Sequence, residues 1–293
     1  MIEYLLLVSC FGFLAFLIPG RHCTYAAIVG WIFIVLFLFS ELPEYMSENN
    51  FLYPTMITLS VPFLYITIKY LVRNDDRILH LTRAAAVAYL IYVPFAFDEF
   101  AHVDGLGHWL INGVVNQVTV LLNGMGYTVS VGCVEPVTGQ VLNSLFCGSQ
   151  ILNVIKRNGM SVEIILACTG IQSIAIMLGV AAAVPTTLRQ KLYAFLLVAP
   201  TIYFLNLLRN VFVILAYTGQ WFPYWPEIAG NGQPGYESFF WAHNVIAEML
   251  ALVVLILISY GLFTLIPKLG KFADDIYHLY YGEVCRWGQL LKK

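Results

Sequence analysis

Seven stretches of apolar residues, at 2–18, 24–40, 53–72, 81–97, 162–184, 192–217 and 239–266, limit what this chain can fold into. A helix of roughly 20 apolar residues crosses the hydrocarbon core of a bilayer, about 30 Å thick, and only helices and closed barrels satisfy every backbone hydrogen bond there. The short alternating strands of a barrel are missing from these stretches. With 60% hydrophobic and 11% charged residues among 293, the composition is far from that of a water-soluble domain. The sequence therefore predicts an all-α polytopic membrane protein of about seven transmembrane helices, forming a single membrane-embedded domain over 1–293. Leu5 to Ile18 has the apolarity of a signal peptide, but Glu3 occupies the place of a basic leader, so this stretch reads as the first span. The net charge of −2 gives no ground for nucleic-acid binding, and no P-loop or CxxC pattern marks a cofactor site, so none is expected.

Basic residues orient the spans, because cytoplasmic loops retain Lys and Arg. Arg21, Lys69, Arg73, Arg77, Arg83, Arg189, Lys191, Lys268, Lys271, Arg286, Lys292 and Lys293 fall on one side, 12 of the 15 basic residues, while the other side has Lys156 and Arg157. This predicts the N-terminus outside, the C-terminus cytoplasmic, and 267–293 as a cytoplasmic basic tail. The segment 98–161 is then external. Gly105 to Gly126 is too interrupted by Asn112, Asn116, Gln117 and Asn123 to cross, and reads as an interfacial or re-entrant helix. Tyr127 to Ser161 reads as a small β-element between helices 4 and 5, with Asn158-Gly159 as a two-residue hairpin signal. Cys133 and Cys147 share this external segment, where oxidation is permitted, and their pairing is left open.

Polar groups inside the spans carry the functional argument, since an ionisable side chain at bilayer depth is costly and faces a cavity or a partner. Arg209 lies about seven residues, or roughly 10 Å, inside the sixth span, and Asn206, three residues earlier, shares its face. Snorkelling to the headgroups is the alternative role for such an arginine. Cys168 lies near the outer mouth of the fifth span, followed by Thr169, by Gly170, which admits a close backbone, and by Gln172 one turn on. A lone membrane cysteine is most often a packed hydrophobe. His243 opens the seventh span, with Asn244 beside it and Glu248 deeper on the same helix as a candidate to orient the cluster. By the predicted topology Cys168, Arg209 and His243 all fall in the outer leaflet at similar depth. Asp98, Glu99, His102 and His108 match no metal-site spacing, so no metal is expected there.

Ala167-Cys168-Thr169-Gly170-Ile171, the arginine in Asn206-Leu207-Leu208-Arg209-Asn210, and a histidine heading a later span resemble the exosortase/archaeosortase family, most closely its archaeosortase A branch, since Ser more often follows the cysteine in bacterial exosortases. The resemblance is in motif through the second half of the chain and in span count through the first. It implies a membrane cysteine transpeptidase acting on exported proteins with a C-terminal tripartite signal: a Pro-Gly-Phe signature, a transmembrane helix and a basic cluster. The new C-terminus passes to a membrane lipid. Cys168 would be the nucleophile, His243 the base and Arg209 the stabilising cation, with Thr169, Gly170, Gln172, Asn206, Asn210, Asn244 and Glu248 as supporting or substrate contacts. At the third position some archaeosortases use Arg, and Asn244 or Glu248 could share the task. Two other classes remain: a cysteine protease with the same residues that releases a free carboxylate, and a transporter or channel that uses the buried polar groups.

Overall fold

The computed structural model describes residues 2–18, 23–47, 52–101, 105–135, 138–147 and 150–290. Its helices are α1 (Ile2–Leu17), α2 (Cys23–Ser47), α3 (Leu52–Leu71), α4 (Asp76–Ala101), α5 (Leu106–Gly124), α6 (Ile171–Ala182), α7 (Leu188–Thr218), α8 (Pro226–Ala229), α9 (Tyr236–Phe240), α10 (Glu248–Leu265) and α11 (Pro267–Leu290). Among the described residues four stretches are long and apolar enough to cross a membrane: Cys23–Pro43, Asp76–Phe97, Leu188–Thr218 and Tyr236–Leu265. Tyr4–Leu17 and Ile171–Ala182 are shorter apolar helices. Arg21 and His102, and the side chains of Asp98 and Glu99, lie outside the described residues. Among the described residues no cluster of three or more His, Cys, Asp or Glu could hold a metal.

The expected β-element is a four-stranded antiparallel sheet of order β2-β1-β3-β4, built from β1 (Ser130–Val134), β2 (Val141–Asn143), β3 (Val154–Arg157) and β4 (Met160–Glu163). Asn158 and Gly159 turn β3 into β4 with φ of 52° and 78°, the double positive φ that a tight type I′ hairpin requires. Cys133 and Cys147 form a disulfide that ties β1 to the turn after β2. The hairpin also corrects the reading of 162–184 as one continuous helix. Val162 pairs with Ile155 in the sheet, and helix begins only at Ile171. At 12 residues α6 rises about 18 Å, well short of the hydrocarbon thickness.

Where the sequence leads to one domain, the chain divides into two compact units, one of 1–91, 175–198 and 257–293 and the other of 92–174 and 199–256. In the second unit α5 is amphipathic. Ile111, Val114, Val115, Val118 and Leu122 form one buried stripe at helical spacing, while Trp109 and Val120 on other faces are exposed. That stripe joins Ile155 and Val162 of the sheet, Ile164, Leu166 and Ile171, and Leu207, Val211, Ile214 and Leu215 of α7 in one core. In the first unit α1 packs on α2 and α2 on α3. The segment 267–293, expected as a basic tail, is helical through Leu290 and packs against α3.

Candidate active site

Cys168 sits ahead of α6, not inside it. After β4 the Ile164 N–H donates to the Asn153 carbonyl at 2.7 Å, and Leu166–Thr169 make a 3-10 turn in which the Cys168 N–H donates to the Ile165 carbonyl at 2.9 Å. The buried Thr169 hydroxyl closes the turn on the Leu166 carbonyl at 2.7 Å. Gly170 follows with φ +81°, a left-handed step that only glycine takes cheaply. A Cβ there would stand 3.3 Å from Cβ and Cγ of Asn206, so the missing side chain also lets the turn lie directly on α7.

Two amides of α7 hold this turn. Nδ2 of Asn206 and Nδ2 of Asn210 donate to the same acceptor, the Cys168 carbonyl, at 2.6 and 2.9 Å. The two asparagines are four residues apart and so lie within about 40° of each other on the helix. Tyr203, one turn earlier on that stripe, accepts a bond from Gln117 of α5 at 2.9 Å. A part-buried carbonyl that no helix or strand satisfies needs partners from the protein, and the two asparagines supply them here.

Arg209 is turned about 60° from Asn206 and 100° from Asn210, and it reaches a different element. Its Nη2 lies 3.1 Å from Nε2 of His243. His243 belongs to a π-helical turn, Trp241–Ala247, between α9 and α10, a wide-turn geometry that recurs at functional sites. Its Nδ1 lies 2.7 Å from Oδ1 of Asn244. The arginine can only donate and an amide oxygen can only accept, so the imidazole carries its proton on Nδ1 and a lone pair on Nε2. Phe239, one turn earlier, stacks on the ring at 4.9 Å and 12°, and is itself braced edge-on by Tyr217 at 5.6 Å.

The residues singled out from sequence thus fall into two groups joined by one turn of α7. Cys168, Thr169, Gly170, Asn206 and Asn210 form the first, and Arg209, His243 and Asn244 the second. Gln172 is exposed, and its amide bonds the Tyr92 hydroxyl at 3.3 Å. Glu248 is the first residue of α10, four residues beyond Asn244. Sequence reasoning passed over Phe239, whose i,i+4 spacing to His243 was a usable signal, and Tyr92, Tyr203 and Gln117, which had none.

The family model for transmembrane exosortases matches residues 4–232 of this chain. The chain belongs to the exosortase family. Among curated proteins it is similar to archaeosortase A of Haloferax volcanii, 27% identical over 274 residues that cover 90% of this chain and 86% of the relative. It is also similar to archaeosortase A of Natronomonas pharaonis, 30% identical over 268 residues covering 89% and 80%. No solved structure matches. The exosortase match includes Cys168 and Arg209 and ends before His243, so His243 enters the site through its contacts with Arg209. Membership in a transmembrane family, with four apolar helices of spanning length, makes this a membrane protein.

Proposed function

We propose that this chain is a cysteine transpeptidase that cuts the C-terminal sorting signal of exported surface proteins and transfers the new C-terminus to a membrane lipid. One observation carries this reading: residues 206–210 of α7 grip both the turn bearing Cys168 and the imidazole of His243. A nucleophile and a base on separate elements are useful only if something fixes them to each other. The names of the two curated relatives, archaeosortase A, support the same class.

In the proposed reaction Arg209 swings off Nε2 of His243, the freed lone pair takes the proton of the Cys168 thiol, and the thiolate attacks the scissile carbonyl carbon. The C–O π electrons move to oxygen, and Arg209 turns a guanidinium N–H from His243 to that oxyanion. Collapse breaks the C–N bond, His243 returns the proton to the departing amine, and a thioester to Cys168 remains. A lipid nucleophile then attacks the thioester, loses its proton to His243 and frees Cys168. Asn244 keeps the imidazole in the tautomer this sequence needs.

The chain is read as a multi-pass membrane protein with the N-terminus outside and the reacting groups in the outer leaflet. The Cys133–Cys147 disulfide supports that side for the sheet, because disulfides persist in oxidising compartments. The client is a protein with a Pro-Gly-Phe type signature, a transmembrane helix and a basic cluster. Hydroxylamine tests the chemistry. Added to membranes with a client, it should give a client hydroxamate at the new C-terminus, lost in Cys168→Ala and kept in Cys10→Ser, Cys23→Ser and Cys285→Ser. Cleavage that persists in Cys168→Ala would remove the thioester from the mechanism.

A further inference from the structure

The helix α11 carries an interaction surface that neither the sorting chemistry nor the family membership uses. In steps of about 100° per residue, its surface divides into three sectors. The first faces protein: Leu279 and Glu283 are buried, and Phe272, Ile276 and Tyr280 are largely covered. Tyr280 stacks on Phe63 of α3 at 5.0 Å and 5°, and its hydroxyl is 2.6 Å from that of Thr67. The Glu283 carboxylate, 2% exposed, accepts from Lys69 at 2.5 Å and from the Tyr70 hydroxyl at 2.7 Å. The third sector, opposite, is polar and exposed, with Lys271, Asp274, His278 and Cys285.

Between them runs an apolar strip that none of the described residues of the first unit covers. Tyr277, Tyr281 and Val284, at spacing i, i+4, i+7, are 60%, 56% and 53% exposed, and the two tyrosine rings stack at 5.7 Å. Apolar surface of this kind needs an occupant, and contacts fix the depth at which it lies. The helix begins two residues after the apolar stretch Tyr236–Leu265 ends. Phe272 meets the ring of His80 at 6.0 Å, four residues or roughly 6 Å inside the apolar stretch Asp76–Phe97. Its partners on α3, Phe63 and Thr67, lie four or more residues before that helix ends at Leu71. A helix that starts where Tyr236–Leu265 ends and is seated beside the first turns of Asp76–Phe97 and the last turns of α3 lies at the end of the apolar stretches, where the membrane boundary falls.

We infer that α11 lies in the plane of the membrane, with Tyr277, Tyr281 and Val284 buried in the headgroup and acyl boundary of the bilayer. The occupant of the strip is lipid. The order of sectors fits: protein on one side, water on the opposite side, and between them a tyrosine-rich flank of the kind that settles at interfaces. The inference rests on the crossing of the bilayer by Asp76–Phe97 and Tyr236–Leu265, and not on the chemistry proposed at Cys168.

The test uses full-length protein in phosphatidylcholine nanodiscs, with Cys10, Cys23 and Cys168 replaced by Ser. Spin labels are placed singly through Tyr277→Cys, Tyr281→Cys, Val284→Cys, Lys271→Cys or His278→Cys, each with Cys285→Ser, and at the native Cys285. Labels at 277, 281 and 284 should collide with oxygen severalfold more often than with a water-soluble nickel chelate, and labels at 271, 278 and 285 should show the reverse. Chelate access at all six positions would make α11 an aqueous helix and overturn the inference. Shielding of 277, 281 and 284 from both reagents would assign the strip to a second protein copy and overturn it as well. A label at Leu257→Cys, on α10 and 64% exposed, separates the two levels. Chelate access there would defeat the spanning reading beneath the inference, whereas oxygen access there with chelate access at 277, 281 and 284 would defeat the inference alone.

Discussion

Asn206 and Asn210 converge on one carbonyl, and this makes a quantitative prediction about their joint loss. Replacing either with Ala leaves the Cys168 carbonyl with its other donor, so each single change should cost one net hydrogen bond, about 1 kcal/mol. Replacing both leaves a part-buried carbonyl with neither donor, which adds a desolvation penalty of a further 1–3 kcal/mol or so. The expected coupling is therefore about 1–3 kcal/mol beyond additivity. If the clamp serves to position Cys168, that energy appears in the reaction, as roughly fivefold slowing for each single variant and on the order of a hundredfold or more for the double. The assay is client cleavage per folded enzyme in proteoliposomes, paired with the alkylation rate of Cys168, which a purely structural role would leave unchanged once unfolded protein is removed. Additive losses in the double variant, or an unaltered alkylation rate, would refute the argument that the two amides act on a shared acceptor to place the thiol.

Two further variants probe other contacts. Arg209→Lys keeps the charge but loses the fork that reaches Nε2 of His243 at 3.1 Å. Its cleavage rate should fall about a hundredfold, close to that of Arg209→Ala, and a near-normal rate would reduce Arg209 to a lipid anchor. Glu283 has its carboxyl held below the usual range by the hydrogen bond from Lys69 and then by that from Tyr70. A depressed acid contributes stability above its unfolded pKa, about 4.5, and loses it as pH falls through the folded value. The Tm in detergent should therefore drop on acidification below that pH, and Glu283→Gln, which keeps the shape but loses the charge on these hydrogen bonds, should remove part of the drop while lowering neutral-pH stability by about 1.5–3 kcal/mol. An identical pH profile in the Gln variant would show that the ion pair does not dock α11.

Periodicity and length account for most of what the sequence made legible. Six of the seven apolar runs became helical, α2 running on to Ser47 and 239–266 divided among α9, the π-helical turn and α10, because uninterrupted apolar stretches of that length have few alternatives. The exception, 162–184, begins with an apolar segment that suits strand and helix equally, and the Asn158-Gly159 hairpin decides for strand by pairing Val162 with Ile155. That choice moved Cys168 from a helix to the turn before it. The i,i+4 spacing of Asn206 and Asn210 was readable as a shared face, but not that both amides would meet one carbonyl, which depends on the left-handed step at Gly170. The π-helical turn at His243 had no sequence signal, since a wide turn is imposed by packing around it and not by the residues' own preferences.

The central claim is that Cys168 drives exchange of a client's C-terminal helix for a lipid, and the intact mass of one mature client measures it most directly. From cells with the native enzyme, the client should be lighter by its transmembrane helix and basic cluster and heavier by a lipid bound at the new C-terminus. From cells with Cys168→Ala it should retain the full C-terminal segment. A native-enzyme client that ends in a free carboxylate would make the enzyme a protease and contradict the transfer, and the same lipid-bearing mass in both cells would contradict the role of Cys168.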